Sequence, residues 1–188
     1  MTIKVYAIEK VVLFGDSLMA GYGLSNEYHL SVVLKESLIS DGLNIEVING
    51  SVSGSTSSGG LNRAEWTLSE VDIDLMILGL GANDMLRGIN PKETKKNLEQ
   101  IIKIAQDKSI EVVLAGMIAP SSHGFKYKKN FDKIYPDLSK KYKLTLIPFL
   151  LEGVALKPKY NLSDGMHPNE KGTIIISNTL KKAILNKL

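Results

Sequence analysis

Hydrophobic residues gather along this chain in five short runs, at residues 11–14, 45–48, 75–78, 112–115 and 144–147. Each is rich in Val, Ile and Leu and lacks the strict alternation of a half-exposed strand, the pattern of strands buried on both faces. Each run begins 30 to 37 residues after the one before, room for a strand plus a crossover helix. Between the runs the apolar positions change to helical spacing. Leu30, Val33, Leu34 and Leu38 share one face, and Leu98, Ile101, Ile102 and Ala105 share another. The second of these helices is predicted to open at Asn90 as N-cap, with Pro91 at its first position and Glu93 three residues after the cap. Phe131, Ile134, Tyr135 and Leu138 predict a further helix, kinked or broken at Pro136. Ile176, Leu180, Ala183 and Ile184 predict a last one, started by Pro168.

Strands that alternate with helices imply a parallel sheet with helices on both faces. The expected architecture is a three-layer α/β/α sandwich on a five-stranded parallel sheet. No linker, low-complexity tract or short repeat divides residues 1–188, which read as one domain. In such sheets ligands bind beyond the carboxyl ends of the strands, and small polar residues collect there in this sequence. Gly15, Asp16 and Ser17 follow the first run, and residues 49–54 follow the second. Gly81, Ala82, Asn83 and Asp84 follow the third, and Asp164, Gly165, Met166, His167 and Pro168 come after the fifth.

These residue types are the parts of an acyl-transfer site. A serine hydroxyl is a weak nucleophile until a base adjoins it. Histidine suits that task, and it needs an acceptor on its other ring nitrogen to fix the tautomer. Ser17 lies where the first strand turns toward a helix. Asp164 and His167 stand three apart in a glycine-containing turn, with Pro168 holding His167 out of the helical region. Asn83 offers a side-chain amide, and Gly54 a main-chain N–H without a side chain in front of it. The blander readings are a helix-start cap for Ser17 and turn formers for Asn83 and Gly54. Asp16 reads as structural, Asp84 as an anchor for the Asn83 loop and Arg87 as a loop-ordering charge. His29 reads as a surface or packing residue of the first helix, and Trp66, with Leu61 and Leu68, as helix packing.

Composition removes several alternatives. There is no cysteine, so disulfides, thiolate catalysis and Cys-based metal sites are excluded. His29, His123 and His167 are scattered, with no H-E-x-x-H, so no metal is expected. A net charge of +3 with only two arginines, Arg63 and Arg87, gives little support to nucleic-acid binding. Residues 54–59 carry the glycine spacing of a P-loop, but Gly60 and Leu61 stand where Lys and Ser/Thr belong. No run is long enough to span a membrane. Lys4, Glu9 and Lys10 interrupt the first ten residues too often for a leader peptide.

With four blocks in register, GDSLMAGYGL at 15–24, NGSVSGSTSSGGL at 49–61, GANDMLRG at 81–88 and DGMHPN at 164–169, the chain resembles the SGNH hydrolases, also called the GDSL family. Residues 83–88, 134–136 and 148–158 narrow the likeness to the bacterial multifunctional thioesterase, protease and lysophospholipase subgroup, which includes arylesterases. The resemblance implies a flavodoxin-like SGNH fold and a serine esterase or thioesterase working through an acyl-enzyme. It implies Ser17 as nucleophile, His167 as base and Asp164 as its partner. The oxyanion donors it implies are the Ser17 N–H, the Gly54 N–H and the Asn83 side chain. Met85, Leu86 and the 120–127 loop, with His123 and Tyr127, are implied to shape the substrate pocket. No cofactor or metal is needed. The expected partner is a small acyl ester or thioester, with no nucleic acid and no stable membrane insertion, and the chain is expected to be a monomer. The compartment is periplasmic or secreted if a leader has been removed, and cytoplasmic otherwise. Ser55 and Ala82 depart from the Asp and Gly common in close relatives. The alternatives are a carbohydrate O-deacetylase or acyltransferase on the same scaffold, and a non-catalytic or nucleotide-binding α/β module.

Overall fold

The computed structural model describes residues 8–69 and 72–188. Residues 1–7, which hold most of the segment read above as unlike a leader, lie outside the described residues. Strands β1 (Lys10–Gly15), β2 (Glu46–Asn49), β3 (Leu75–Gly79), β4 (Glu111–Ala115) and β5 (Thr145–Ile147) form one sheet in the order β2-β1-β3-β4-β5. Every pairing is parallel. β1, β3 and all but the first residue of β4 are buried almost throughout, as their unbroken apolar runs require.

The helices are α1 (Ser17–Ala20), α2 (Leu30–Ser40), α3 (Ser57–Thr67), α4 (Ala82–Leu86), α5 (Pro91–Asp107), α6 (Phe125–Phe131), α7 (Ile134–Tyr142) and α8 (Glu170–Leu185). α2 packs against α8, while α5 packs against α3 and α7. The predicted faces are the ones that turn inward: Leu30, Leu34 and Leu38 on α2, and Leu98, Ile101, Ile102 and Ala105 on α5, are buried. Asn90 caps α5 by accepting from Lys92 N, with Pro91 next to it.

Four expectations are corrected. The helix expected to break at Pro136 breaks before it, at Asp132 and Lys133, between α6 and α7. Pro136 is the third residue of α7, within the first turn, where a backbone N–H has no partner inside the helix and the ring costs no bond. Pro168 does not start α8. It bridges to Asn161, and the cap is Asn169, whose side chain accepts from Gly172 N at 3.1 Å. Trp66 does not pack inside; it is 81% exposed, while Leu68 fills the core. His29 precedes the α2 helix as its N-cap residue, with Nε2 3.3 Å from the Leu24 carbonyl.

The sheet order fixes where a crevice can form. The chain leaves β1 for β2 on one side and returns to β3 on the other, so β1 and β3 flank the point where the connections diverge. Their last residues, Gly15 and Gly79, are register partners. The segments carrying Ser17 and Asn83 therefore emerge side by side.

Candidate active site

Ser17 stands at the first position of α1. The cap of that helix is Asp16, whose Oδ1 accepts from Leu18 N at 3.1 Å. Capping is thus done by the neighbour, and the Ser17 hydroxyl is left for another partner. That partner is His167: Oγ and Nε2 are 2.9 Å apart across 150 residues of sequence. On the far side of the ring, Nδ1 lies 2.6 Å from Asp164 Oδ2. The 164–167 turn is closed by Asp164 itself, whose Oδ1 accepts from Met166 N at 2.8 Å and His167 N at 3.0 Å. Leu162 N donates to the His167 carbonyl at 2.8 Å and Asn169 N to the Tyr160 carbonyl at 3.0 Å, which dock the turn on the preceding segment. The two backbone N–H groups, and then the imidazole, hold the Asp164 carboxyl down at about 2. It is therefore an anion at every pH where the ring needs an acceptor.

The loop after β3 is supported from below. Gly81 adopts φ 117°, and a β-carbon there would stand 2.3 Å from the Tyr135 hydroxyl, so only glycine fits. That hydroxyl donates to the Leu80 carbonyl at 2.9 Å. Asp84 is fully buried and accepts from Ser57 N at 2.7 Å, from the Ser57 hydroxyl and from Thr94 Oγ1 at 3.1 Å. Asn97 Nδ2 completes the group by donating to Ser57 Oγ at 3.0 Å. Asp84 thereby ties α4, which carries Asn83, to the start of α3, which follows the Gly54 loop.

Two further bonds join the same pieces. Asn83 Nδ2 donates to the Ser55 carbonyl at 3.2 Å, and Arg87 Nη2 donates to the Gly54 carbonyl at 3.1 Å. An amide nitrogen carries two hydrogens, and besides the Ser55 carbonyl the Asn83 side chain has the Asp16 carboxyl beside it, whose proton affinity it lowers. Gly54 sits at φ 77° with its carbonyl turned to Arg87, and among the described residues neither its N–H nor that of Ser17 has a partner. The departure at Ser55 meets Asn83 through the main chain, not through its side chain. The departure at Ala82 falls inside α4, where the positive φ belongs to Gly81 before it.

Ser17, Gly54, Asn83 and His167 line one cavity of about 280 Å³, with Leu18, Tyr22, Ser53, Ala82, Leu86 and Met166. A second cavity of about 410 Å³ continues from it through Leu18, Ala82, Leu86 and Met166, which line both. This groove is almost wholly apolar, walled by Met85, residues 117–120, Phe149, Leu151, Ala155 and Leu156. Met85 and Leu86 lie where the sequence suggested. His123 and Tyr127 do not line this groove. Their polar atoms engage the carbonyls of Met85, at 2.9 Å, and Ile89, at 3.0 Å, bracing the loop from its other side. Tyr22, Met166 and Leu156 were missed in the sequence. Tyr22 packs its ring 4.4 Å from that of His167. It lies within the GDSLMAGYGL block, but nothing in the sequence set it above its neighbours.

One buried group stands apart. Asp16 is 1% exposed, its Oδ2 has no hydrogen-bond partner, and burial pushes its carboxyl up to about 6. The raised value means that the folded state binds a proton the unfolded chain gives up at 3.8. Stability linked to Asp16 is therefore lost as pH rises through this window, by about 3 kcal/mol in all. Asp16→Asn, which still caps α1, is expected to raise the melting temperature at pH 8 by several degrees. The gain should shrink toward zero by pH 4. Calorimetric melts of both proteins across that range check the sign and the window; a gain that persists undiminished at pH 4 would contradict it.

Comparison with known proteins now decides the relationship. A model of the GDSL-like Lipase/Acylhydrolase family matches residues 13–173. The chain belongs to the GDSL-like lipase/acylhydrolase family. It is 36% identical to an arylesterase of Vibrio mimicus over 97% of this chain and 91% of that protein. It is 33% identical to thioesterase 1/protease 1/lysophospholipase L1 of Escherichia coli K12 over 98% of this chain and 87% of that protein. Among solved structures, the crystal structure of TesA superposes with a TM-score of 0.90 at 30% identity, over 96% of this chain and all of that one. The GDSL, or SGNH, fold expected from the four blocks is the fold observed, and membership of an acylhydrolase family makes the chain an ester-bond hydrolase. Among its described residues no helix is long and apolar enough to cross a membrane.

Proposed function

We propose that this GDSL hydrolase cleaves acyl esters and thioesters through a Ser17–His167–Asp164 triad and a covalent acyl-enzyme. The observation that carries the reading is the unbroken hydrogen-bond chain from Asp164 Oδ2 through both nitrogens of His167 to Ser17 Oγ. Ser17 Oγ attacks the carbonyl carbon while His167 Nε2 takes its proton. The Ser17 and Gly54 N–H groups and the Asn83 side-chain amide hold the oxyanion. The alcohol or thiol leaves with the proton from His167. Water then enters, gives a proton to the same nitrogen and frees the acid. Asp164 stays ionised throughout and stabilises the imidazolium.

The apolar groove favours an aliphatic acyl chain over a small acetyl group. Burying one methylene contributes about 0.8 kcal/mol, so kcat/KM should rise about fourfold for each added methylene until the groove is filled. p-Nitrophenyl esters of increasing chain length, assayed with a chelator present, check this; a maximum at acetate would turn the reading toward an O-deacetylase. A fluorophosphonate probe tests the nucleophile. Peptide mapping should find the adduct on Ser17 alone, and an adduct on any other residue would move the nucleophile.

A further inference from the structure

The surface around the mouth of the apolar groove carries features that hydrolysis alone does not require. Leu156 is 92% exposed and adopts φ 61°, a left-handed conformation that a leucine holds only at a cost in backbone energy. Phe125 is 82% exposed at the start of α6, and Ile118, Leu86 and Met166 are each close to half exposed. All but Phe125 line the groove, and Phe125 follows the groove-lining Pro120 five residues on. A soluble surface has no use for such a cluster unless something covers it.

Charge points to what covers it. Two segments run on from the groove wall, one from residues 117–120 into α6 and the other past Leu156. Residues 116–131 contain Lys126, Lys128 and Lys129 and no carboxylate; residues 153–163 contain Lys157 and Lys159 and no carboxylate. With the flanking acids Asp132, Glu152 and Asp164 counted, the two segments still net +2 of the chain's +3. Lys128 is spent on Asp132 and on the Ala119 carbonyl. Lys126, Lys129, Lys157 and Lys159 are exposed. Lys129 Nζ lies 5.8 Å from the Phe125 ring centre, so a cation and a bare aromatic ring are presented together. Of the flanking acids, Asp132 pairs with Lys128, while Asp164, bonded to His167, and exposed Glu152 keep their charge.

We propose that this face docks on an anionic lipid–water surface, with Phe125 and Leu156 entering the headgroup layer and the lysines facing its charge. Apolar side chains set among cations form a surface that seats at such an interface. The docked orientation would open the groove, and through it Ser17, directly to acyl chains in the layer. The purpose of docking rests on the acyl-ester reading above; the binding itself does not.

Cosedimentation with vesicles tests it, using the Ser17→Ala protein so that no lipid is consumed and the outcome is independent of the nucleophile's assignment. Phosphatidylglycerol vesicles should bind the protein at low salt and release it at high salt, while phosphatidylcholine vesicles should not bind it. The double variant Lys126→Glu, Lys129→Glu should weaken partitioning by at least about tenfold, since each lysine near an anionic surface is worth about fivefold. Phe125→Ser, at an exposed position outside the groove, should weaken it as well. Lys129→Glu alone, made in the Ser17 protein, should leave hydrolysis of a short soluble ester unaltered. Equal binding to both vesicle types, binding unmoved by the variants, or no binding at all overturns the proposal. So does retention on a soluble polyanion as strong as on vesicles, or a dimer in light scattering that Phe125→Ser dissolves.

Discussion

Ser17→Ala is expected to lower turnover of p-nitrophenyl esters by about 10⁴- to 10⁶-fold, leaving only what binding and the oxyanion donors supply. The size follows from the chemistry. Without the hydroxyl no acyl-enzyme forms, and His167 has no proton to take from a group held 2.9 Å away. What remains is direct attack by water in a site built for a different nucleophile. The fold should not register the change, because the cap of α1 is Asp16, not Ser17. Mass spectrometry after mixing with substrate should show an acylated intermediate in the parent protein and none in the variant. Removing His167 as well should cost little more, since the two act as a unit. Retention of more than a few per cent of activity in the purified Ser17→Ala protein would require another nucleophile.

Asn83→Ala is expected to reduce kcat by about 10²–10³ with little change in KM, the cost of losing one donor whose bond strengthens as the oxyanion forms. Asn83→Asp should be as slow, although it preserves the shape. An ionised carboxylate donates nothing, and it would stand among the buried carboxyls of Asp16 and Asp84. Chemical denaturation separates the chemical effect from a structural one. Asn83 also holds the Ser55 carbonyl at 3.2 Å, a neutral bond whose loss costs about 1 kcal/mol. A fall in kcat of less than about fivefold in a fully folded variant would remove Asn83 from the oxyanion site.

Much of this was legible in the sequence because it is local. All five strands announce themselves as short apolar runs, but only the inner β1, β3 and β4 are buried on both faces as expected; β2 and β5 are the edges of the sheet and stay partly exposed. The Asp164–His167 pair was legible because a three-residue spacing in a glycine-containing turn admits few geometries. What escaped depends on tertiary placement. The groove is assembled from Met85 and Leu86, residues 117–120, Phe149 to Leu156 and Met166, segments that share no period and no composition. Leu156 carries no mark in the sequence of being both bare and left-handed. Trp66 looked like core because it lies between Leu61 and Leu68, yet Leu68 is buried and Leu61 packs against the core while Trp66 faces out. The bracing of the 85–89 loop by His123 and Tyr127 was misplaced for the same reason: an imidazole beside a groove and one behind its wall read alike in one dimension.

The bond between the Ser17 hydroxyl and the His167 ring spans 150 positions of the polymer. A ribosome adds Ser17 long before it adds the turn bearing the imidazole. Until that turn is added, the emerging polypeptide holds the alcohol without the imidazole. On the proposed reading, the order of translation keeps the site incomplete until the turn at residues 164–167 has been made.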